Sequence, residues 1–269
     1  MNLQLVLHTD PAVPLEAGVI CPDKLAGLND KQVSQSLVHH GNEQATVGDF
    51  FTVSSGGPEG LYVEGDLSRV KHIGADMGRG HIQIRGDVGA HLGAGMSGGG
   101  IHVDGNAADW VGPQMSGGRI VITGNAGHMV GSAYRGSRVG IQGGEILVHG
   151  NVGNETGNTM RRGLIAVGGD SGDFTGVNML AGSIFVLGKL GMRSGASMKR
   201  GSIISMHEAQ MLPTFSYAGE NHPLYLRHYL LYLRELGLTI DDDQIRASYH
   251  RWSGDSVELN KGEILLKVG

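Results

Sequence analysis

Along the middle of the chain, pairs of branched apolar residues two positions apart recur before a glycine: Leu61/Val63, Ile82/Ile84, Ile101/Val103, Ile120/Ile122, Ile146/Val148, Ile165/Val167 and Ile184/Val186. Period-two β-branched pairs predict strands with one face buried. The anchoring glycines are Gly65, Gly86, Gly105, Gly124, Gly150, Gly169 and Gly188, at intervals of 21, 19, 19, 26, 19 and 19 residues. Each is followed by Asp66, Asp87, Asn106, Asn125, Asn151, Asp170 or Lys189. Seven positions on, glycine returns (Gly93, Gly112, Gly131, Gly157, Gly176, Gly195), and ten positions on comes methionine (Met96, Met115, Met160, Met179, Met198). The first unit has Gly74 and Met77 two residues late, and the fourth has Tyr134 in the methionine place.

Each unit reads as strand, turn, strand, turn and shorter strand, because no unit contains a helix-length periodic segment. The Gly-Asn/Asp pair is expected to turn the chain through residues tolerant of positive φ. A unit of about nineteen residues cannot close a core alone, but units stacked in register bury one continuous core. The expected fold is all-β: a single-stranded right-handed parallel β-helix of seven coils, with terminal caps and a short C-terminal helical segment. The methionines are expected to stack inward, their flexible thioethers filling the cross-section. Seven extra residues within Arg135–Gly144 read as a protruding loop, mobile or ordered by a partner.

Three parts follow: an N-terminal arm and cap (1–55), the β-helix (56–205) and a helical/strand tail (206–269). In the arm, Pro11–Leu15 reads as extended, Pro22–Val38 as holding one short helix, and Val47–Val53 as the strand that feeds coil one and covers its edge. In the tail, Pro223–Leu236 has proline at its start and Gly237 at its stop, with a stripe of Leu226, Tyr229, Leu230, Leu233 and Leu236. A second helix is expected near Asp241, then a hairpin through Val257–Leu259 and Ile264–Val268.

Composition sharpens this. There are 47 glycines, about two and a half times the roughly 7% of an average protein. They follow no collagen period and never open a helix, so the recurring Gly-x-Gly is turn chemistry rather than a dinucleotide loop. A net charge of −5 without basic runs argues against nucleic acid and anionic membranes as partners. No apolar run reaches spanning length, and with no signal-like start a cytoplasmic location is expected. The lone Cys21 excludes an intrachain disulfide or a cysteine cage, and has no basic neighbour in sequence to activate it. Thirteen histidines are scattered without a ligand motif; His39-His40 reads as a surface loop, and His102 and His149 as outward strand positions. No catalytic, cofactor-binding or metal-binding residues emerge, and no cofactor is expected in this chain.

The outward face carries more information. Three residues before each anchor stand Tyr62, Gln83, His102, Val121, Leu147, Ala166 and Phe185; one before stand Glu64, Arg85, Asp104, Thr123, His149, Gly168 and Leu187. The face begins polar and ends apolar, so Val121, Leu147, Phe185 and Leu187 are the candidate interface residues, to be covered by the tail helix or a partner subunit.

The repeat G-x-x-x-G-x-x-M-x-x-G-x-I-x-V-x-G resembles the C-terminal β-helix domain of the glutamate synthase large subunit. With Val13–Leu28, His40-Gly41-Asn42-Glu43 and Val47–Phe51 added, the chain more closely resembles the C subunit of formylmethanofuran dehydrogenase, over roughly residues 10–205. The tail, with its LPTF and PLYLRHYLLYLREL segments, is similar to the bacterial members, which belong to a formyltransferase/hydrolase complex. That resemblance implies a non-catalytic scaffold subunit in methanofuran- and tetrahydromethanopterin-linked one-carbon metabolism, with hydrolase, dehydrogenase-like and formyltransferase siblings. A molybdenum or tungsten dehydrogenase of methanogenesis, or a free-standing glutamate-synthase-type spacer, are the alternatives. A hexapeptide-type acyltransferase or pectin-lyase-like enzyme would show hexapeptide periodicity or clustered Asp/Arg, and neither is present.

Overall fold

The computed structural model describes residues 2–56 and 59–268. The N-terminal arm holds β1 (Asn2–Leu7), β2 (Leu15–Glu16), α1 (Pro22–Leu25), α2 (Asp30–Ser34), β3 (Leu37–His40), β4 (Glu43–Thr46) and β5 (Phe51–Ser55). The repeats supply β6 (Gly60–Glu64), β7 (Val70–Lys71), β8 (His81–Arg85), β9 (Ser97–Asp104), β10 (Gly117–Ile122), β11 (Glu145–Val148), β12 (Leu164–Val167), β13 (Ser183–Val186) and β14 (Arg200–Ser205). The tail adds β15 (Ser216–Asn221), α3 (Leu224–Glu235), α4 (Asp242–Arg246), β16 (Tyr249–Gly254) and β17 (Lys261–Lys267). The architecture is all-β with few helices. One sheet of 13 strands runs β15-β16-β17-β14-β13-β12-β11-β10-β9-β8-β6-β1-β5, and a smaller one runs β4-β3-β2-β7.

From β6 to β14 the neighbours in the large sheet are parallel, and equivalent repeat positions pair: Leu61 with Ile82, Ile82 with Ile101, Ile146 with Ile165, Ile184 with Ile203. A second rail of single parallel bridges links Leu67, Val88, Ala107, Ala126, Val152, Ser171 and Leu190. Each unit therefore has one full strand and one bridging residue rather than three strands. The paired apolar residues are buried, as are Met77, Met96, Met115, Met160, Met179 and Met198.

The residue after each anchor does other work than the sequence suggested. None of these Asn/Asp residues has positive φ. Each side-chain oxygen instead accepts the backbone N–H of its counterpart one unit on: Asp87 from Asn106 (2.7 Å), Asn106 from Asn125 (2.9 Å), Asn125 from Asn151 (2.8 Å), Asn151 from Asp170 (2.7 Å) and Asp170 from Lys189 (2.7 Å). A second such ladder runs Asp109, His128, Asn154, Asp173 and Met192. The ladders satisfy backbone donors at corners where strand pairing stops. The anchor glycines sit beneath them for lack of room: a Cβ on Gly86 would run into the Gly65 carbonyl. Of the anchor glycines only Gly65 and Gly86 have positive φ; it recurs instead at His91, Trp110, Met129, Glu155, Phe174 and Arg193, one in each of six units. Asn125→Ala strands the Asn151 N–H at a corner and should lower stability by about 1–2 kcal/mol, read as a shift in urea midpoint; an unchanged midpoint would show that water replaces the rung.

Other expectations need revision. Val47–Asp49 is a 3₁₀ turn, and β1 lies between β5 and β6, parallel to β6 and antiparallel to β5. Leu3 and Leu5 face the core while Gln4 reaches out to Glu64, so the first strand of the chain, not Val47–Val53, meets unit one. Pro22–Val38 holds two short helices, the second closed by an Asn29/Gln32 capping box. His39 and His40 lie in β3. The terminal hairpin is β16 with β17, and Val257–Leu259 form part of its turn. The extra residues of unit four precede Ile141, which is fully buried and takes the methionine's place: Gln142 N–H donates to the Met115 carbonyl and Arg161 N–H to that of Ile141. Tyr134 points outward instead, its hydroxyl 3.0 Å from His91 Nδ1.

Candidate functional site

The outward strand positions divide the long sheet into two regions. Leu147, Ala166 and Phe185 are buried, and Ile204 and Leu265 continue the column, whereas Tyr62, Gln83, His102 and Val121 are half-buried. Leu147, Phe185 and Leu187 belong to a second core formed with Leu226, Leu230 and Leu233 of α3, Leu238, Ile240, Ile245 and Tyr249; Val121 packs at its edge. The chain's own tail thus covers Leu147, Phe185 and Leu187, and only borders Val121. Of the stripe read from sequence, Tyr229 leaves the buried side; it is 38% exposed, its ring 5.4 Å from Phe185.

Polar contacts fasten both ends of α3. Near its C-terminal end the Tyr232 hydroxyl donates to Glu145 (2.7 Å) and accepts from Arg119 Nη2 (2.8 Å), while Arg119 Nε donates to Glu145 Oε2 (2.8 Å). Hydrogen bonding to Glu145 raises the Arg119 pKa, and burial raises that of Tyr232. Near its N-terminal end Tyr225 donates to Glu263 (3.1 Å), which also accepts from Ser202 and Arg251. Burial, then Glu263, pushes the Tyr225 hydroxyl up to about 12. The helix therefore runs from β17 to β11. That is four strand spacings, about 19 Å, and twelve residues of helix give about 18 Å.

Beside and beyond α3 the sheet face is open. A groove of about 1060 Å³ crosses β6 to β12, with Tyr62, Gln83, His102 and Val121 on its floor and Tyr229 and Tyr232 in its wall. His102 Nε2 lies 3.0 Å from Asp104, and Gln83 donates to the same carboxylate at 2.8 Å. Burial, then His102, lowers the pKa of His149.

A second cluster lies on a corner of the repeats. The rings of His72 and His91 stack at 4.6 Å, Trp110 lies 5.4 Å from His91, and Tyr134 lies against both His91 and Trp110. Burial and then His72 lower the His91 pKa to about 4, and burial raises Tyr134 to about 12. As pH falls, the unfolded chain protonates near the ordinary 6.5 before the folded one does. The contribution of neutral His91 is thus complete above about pH 6.5 and is lost toward pH 4; buried His72 shifts in the same direction. Urea midpoints at pH 7.5 and 4.5 should differ less in His91→Gln than in the parent, and equal differences would show that His91 titrates freely. Only Tyr134, at a position read as inward, hinted at this cluster in the sequence.

Cys21 is buried, and burial raises its thiol pKa, the reverse of activation. Among the described residues no group of three or more His, Cys, Asp or Glu is arranged to hold a metal ion, and no helix is long and apolar enough to cross a membrane.

Residues 60–216 match the family model described as GXGXG motif. The C subunit of the molybdenum-containing formylmethanofuran dehydrogenase 1 of Methanothermobacter marburgensis is 44% identical over 91 residues, 33% of this chain and 23% of that protein. The C subunit of the formyltransferase/hydrolase complex Fhc of Methylorubrum extorquens is 34% identical over 70 residues, 26% of each. These matches span about a quarter of the curated relatives' length. In the crystal structure of the formyltransferase/hydrolase complex from Methylorubrum extorquens with methylofuran, one chain superposes with a TM-score of 0.92 at 32% identity, covering 99% of this chain and 100% of that one.

Proposed function

The chain belongs to the GXGXG motif family and to the family of C subunits of formylmethanofuran dehydrogenases and formyltransferase/hydrolase complexes, and from that membership we propose that it is a non-catalytic scaffold subunit of a formyltransferase/hydrolase complex. The observation that carries this reading is the end-to-end likeness to a chain of the bacterial complex, which takes in the tail as well as the repeats. The siblings on this reading are hydrolase, dehydrogenase-like and formyltransferase subunits, and the location is cytoplasmic.

The scaffold in this reading is a single-stranded right-handed parallel β-helix of seven coils (56–205) between an N-terminal cap (1–55) and a tail (206–269). Register pairing at repeat spacing and the second rail of bridges favour it.

The test is purification from the native source through a tag on this chain. Sibling subunits should co-elute in fixed ratio, and formyl transfer and hydrolysis should belong to the assembly, with none in the isolated chain. Turnover by the isolated chain, abolished by one substitution in it, would overturn the scaffold role.

A further inference from the structure

We propose that the exposed arginines along one corner of units four to seven form a docking surface for an acidic stretch of a sibling subunit. This rests on the chain's being part of a multi-subunit complex.

Charge is unevenly placed along the chain. Residues 135–200 hold eight Lys or Arg against four Asp or Glu, although the net charge of the whole is −5. Those four carboxylates are already engaged. Glu145 takes Arg119 and Tyr232, Glu155 takes Asn158 Nδ2 (2.8 Å), and Asp170 and Asp173 accept the backbone N–H groups of Lys189 and Met192. Arg135, Arg138, Arg161, Arg162 and Arg200 are all exposed, and none forms an ion pair among the described residues. By contrast Arg85, Arg119 and Arg251 each close on a carboxylate at 2.8 Å.

Backbone register gathers the unpaired arginines. The N–H groups of Arg161 and Arg162 both donate to the Ile141 carbonyl, where the inserted loop ends, and Gly140 N–H, two residues past Arg138, donates to the Thr159 carbonyl. Leu180 N–H meets the Met160 carbonyl and Lys199 N–H the Met179 carbonyl. The pairs Arg161/Arg162 and Lys199/Arg200 therefore stand at matching places two units apart, about 10 Å. Arg162 adjoins Gly163, which lines the groove together with Leu164 and the half-exposed Tyr229. Tyrosine and arginine are the residue types enriched where proteins meet.

The chemistry selects carboxylates. A guanidinium is weakly hydrated and offers a fork of donors matched to a carboxylate. Carboxylates about 10 Å apart reach both pairs, which is three residues of extended chain or seven of helix. A phosphate polymer is the poorer occupant, because its unbroken line of charge would also face Glu155, Asp170 and Asp173, whereas a protein segment places its acids at the arginines alone. The attraction should weaken with salt.

Arg161→Lys/Arg162→Lys keeps the charge and supplies amines for a zero-length carbodiimide, which joins an amine only to a carboxylate in contact with it. In the complex as purified, an amide from position 161 or 162 to an Asp or Glu of a sibling subunit is the expected result. An intact complex whose adducts at these positions stay within this chain, or which gives none there, overturns the proposal. Arg138→Glu/Arg161→Glu/Arg162→Glu should keep the isolated chain's melting temperature and weaken assembly at least tenfold at low salt, with the gap closing as salt rises. Assembly within twofold of the parent at low salt also overturns it. So does binding of the isolated chain to single-stranded DNA or phosphatidylglycerol vesicles that this variant abolishes while assembly stands. A parent chain that elutes free of siblings instead removes the scaffold reading itself, a different failure from an intact complex with an unoccupied corner.

Discussion

Met115→Ala should lower the stability of the isolated chain by about 2–5 kcal/mol. Met115 is fully buried within the column of methionines, and its Sδ and Cε lie where a Cβ on Gly112 (2.9 Å) or Gly144 (2.7 Å) would otherwise sit. Gly144 has φ of +83°, so its lack of a side chain makes room for the thioether and permits the turn. Backbone hydrogen bonds hold both glycines against moving into the void that alanine leaves: Gly112 N–H donates to the Leu92 carbonyl, and the Gly144 carbonyl accepts from Leu164 N–H. The cavity should therefore persist, placing the loss in the upper part of the range. Met115→Leu keeps most of the volume and should cost less than about 1.5 kcal/mol. Urea unfolding of both variants measures the difference. An alanine variant within a few tenths of a kcal/mol of the parent would mean that neighbouring units collapse onto the gap.

The methionine column was legible because its residues recur at fixed spacing and burial follows from periodicity. Its one break was misread. Tyr134 keeps the spacing from Gly124, but the extra residues shift the inward position to Ile141, and only the backbone bonds to Met115 and Arg161 show the substitution. The Asn/Asp recurrence was equally visible, but its cause was not. A turn residue and a rung between units have the same sequence signature, and what separates them is contact across nineteen residues of chain. The left-handed column of His91, Trp110, Met129, Glu155, Phe174 and Arg193 left no sign, since residues ordinarily disfavoured in that region occupy it. In the arm, β1 escaped because its six residues, Asn-Leu-Gln-Leu-Val-Leu, carry none of the repeat's glycines, although they pair with its first strand. Of the site, the change from polar to apolar along the outward column was readable. Which element covers it was not, because an amphipathic helix carries no mark of the surface it will meet.

Phe185→Glu puts that covering to the hardest test and should destabilise the isolated chain more than Met115→Ala does. Phe185 has no exposed surface; Ala166 and Ile204 stand beside it in register, and the Tyr229 ring lies above. Truncation alone, Phe185→Ala, should cost about 3–5 kcal/mol. Glutamate adds an unpaired charge between the sheet and α3, with an effective penalty of several kcal/mol more unless it protonates or the helix lifts away. The sum is comparable to the whole stability of an ordinary domain, about 5–15 kcal/mol. The less costly escape is local. α3 is held by its leucine stripe and by the Tyr232–Glu145–Arg119 and Tyr225–Glu263 contacts at its two ends, whereas the repeats are held by strand pairing. The tail should therefore detach before the sheet dissolves. Limited proteolysis of the isolated variant should cut within 224–246 while a fragment containing the repeats survives, and lowering the pH should slow the cutting as the carboxylate takes up a proton. A variant as protease-resistant and heat-stable as the parent would show that α3 does not cover Phe185 in solution, leaving that column for a sibling subunit to bury.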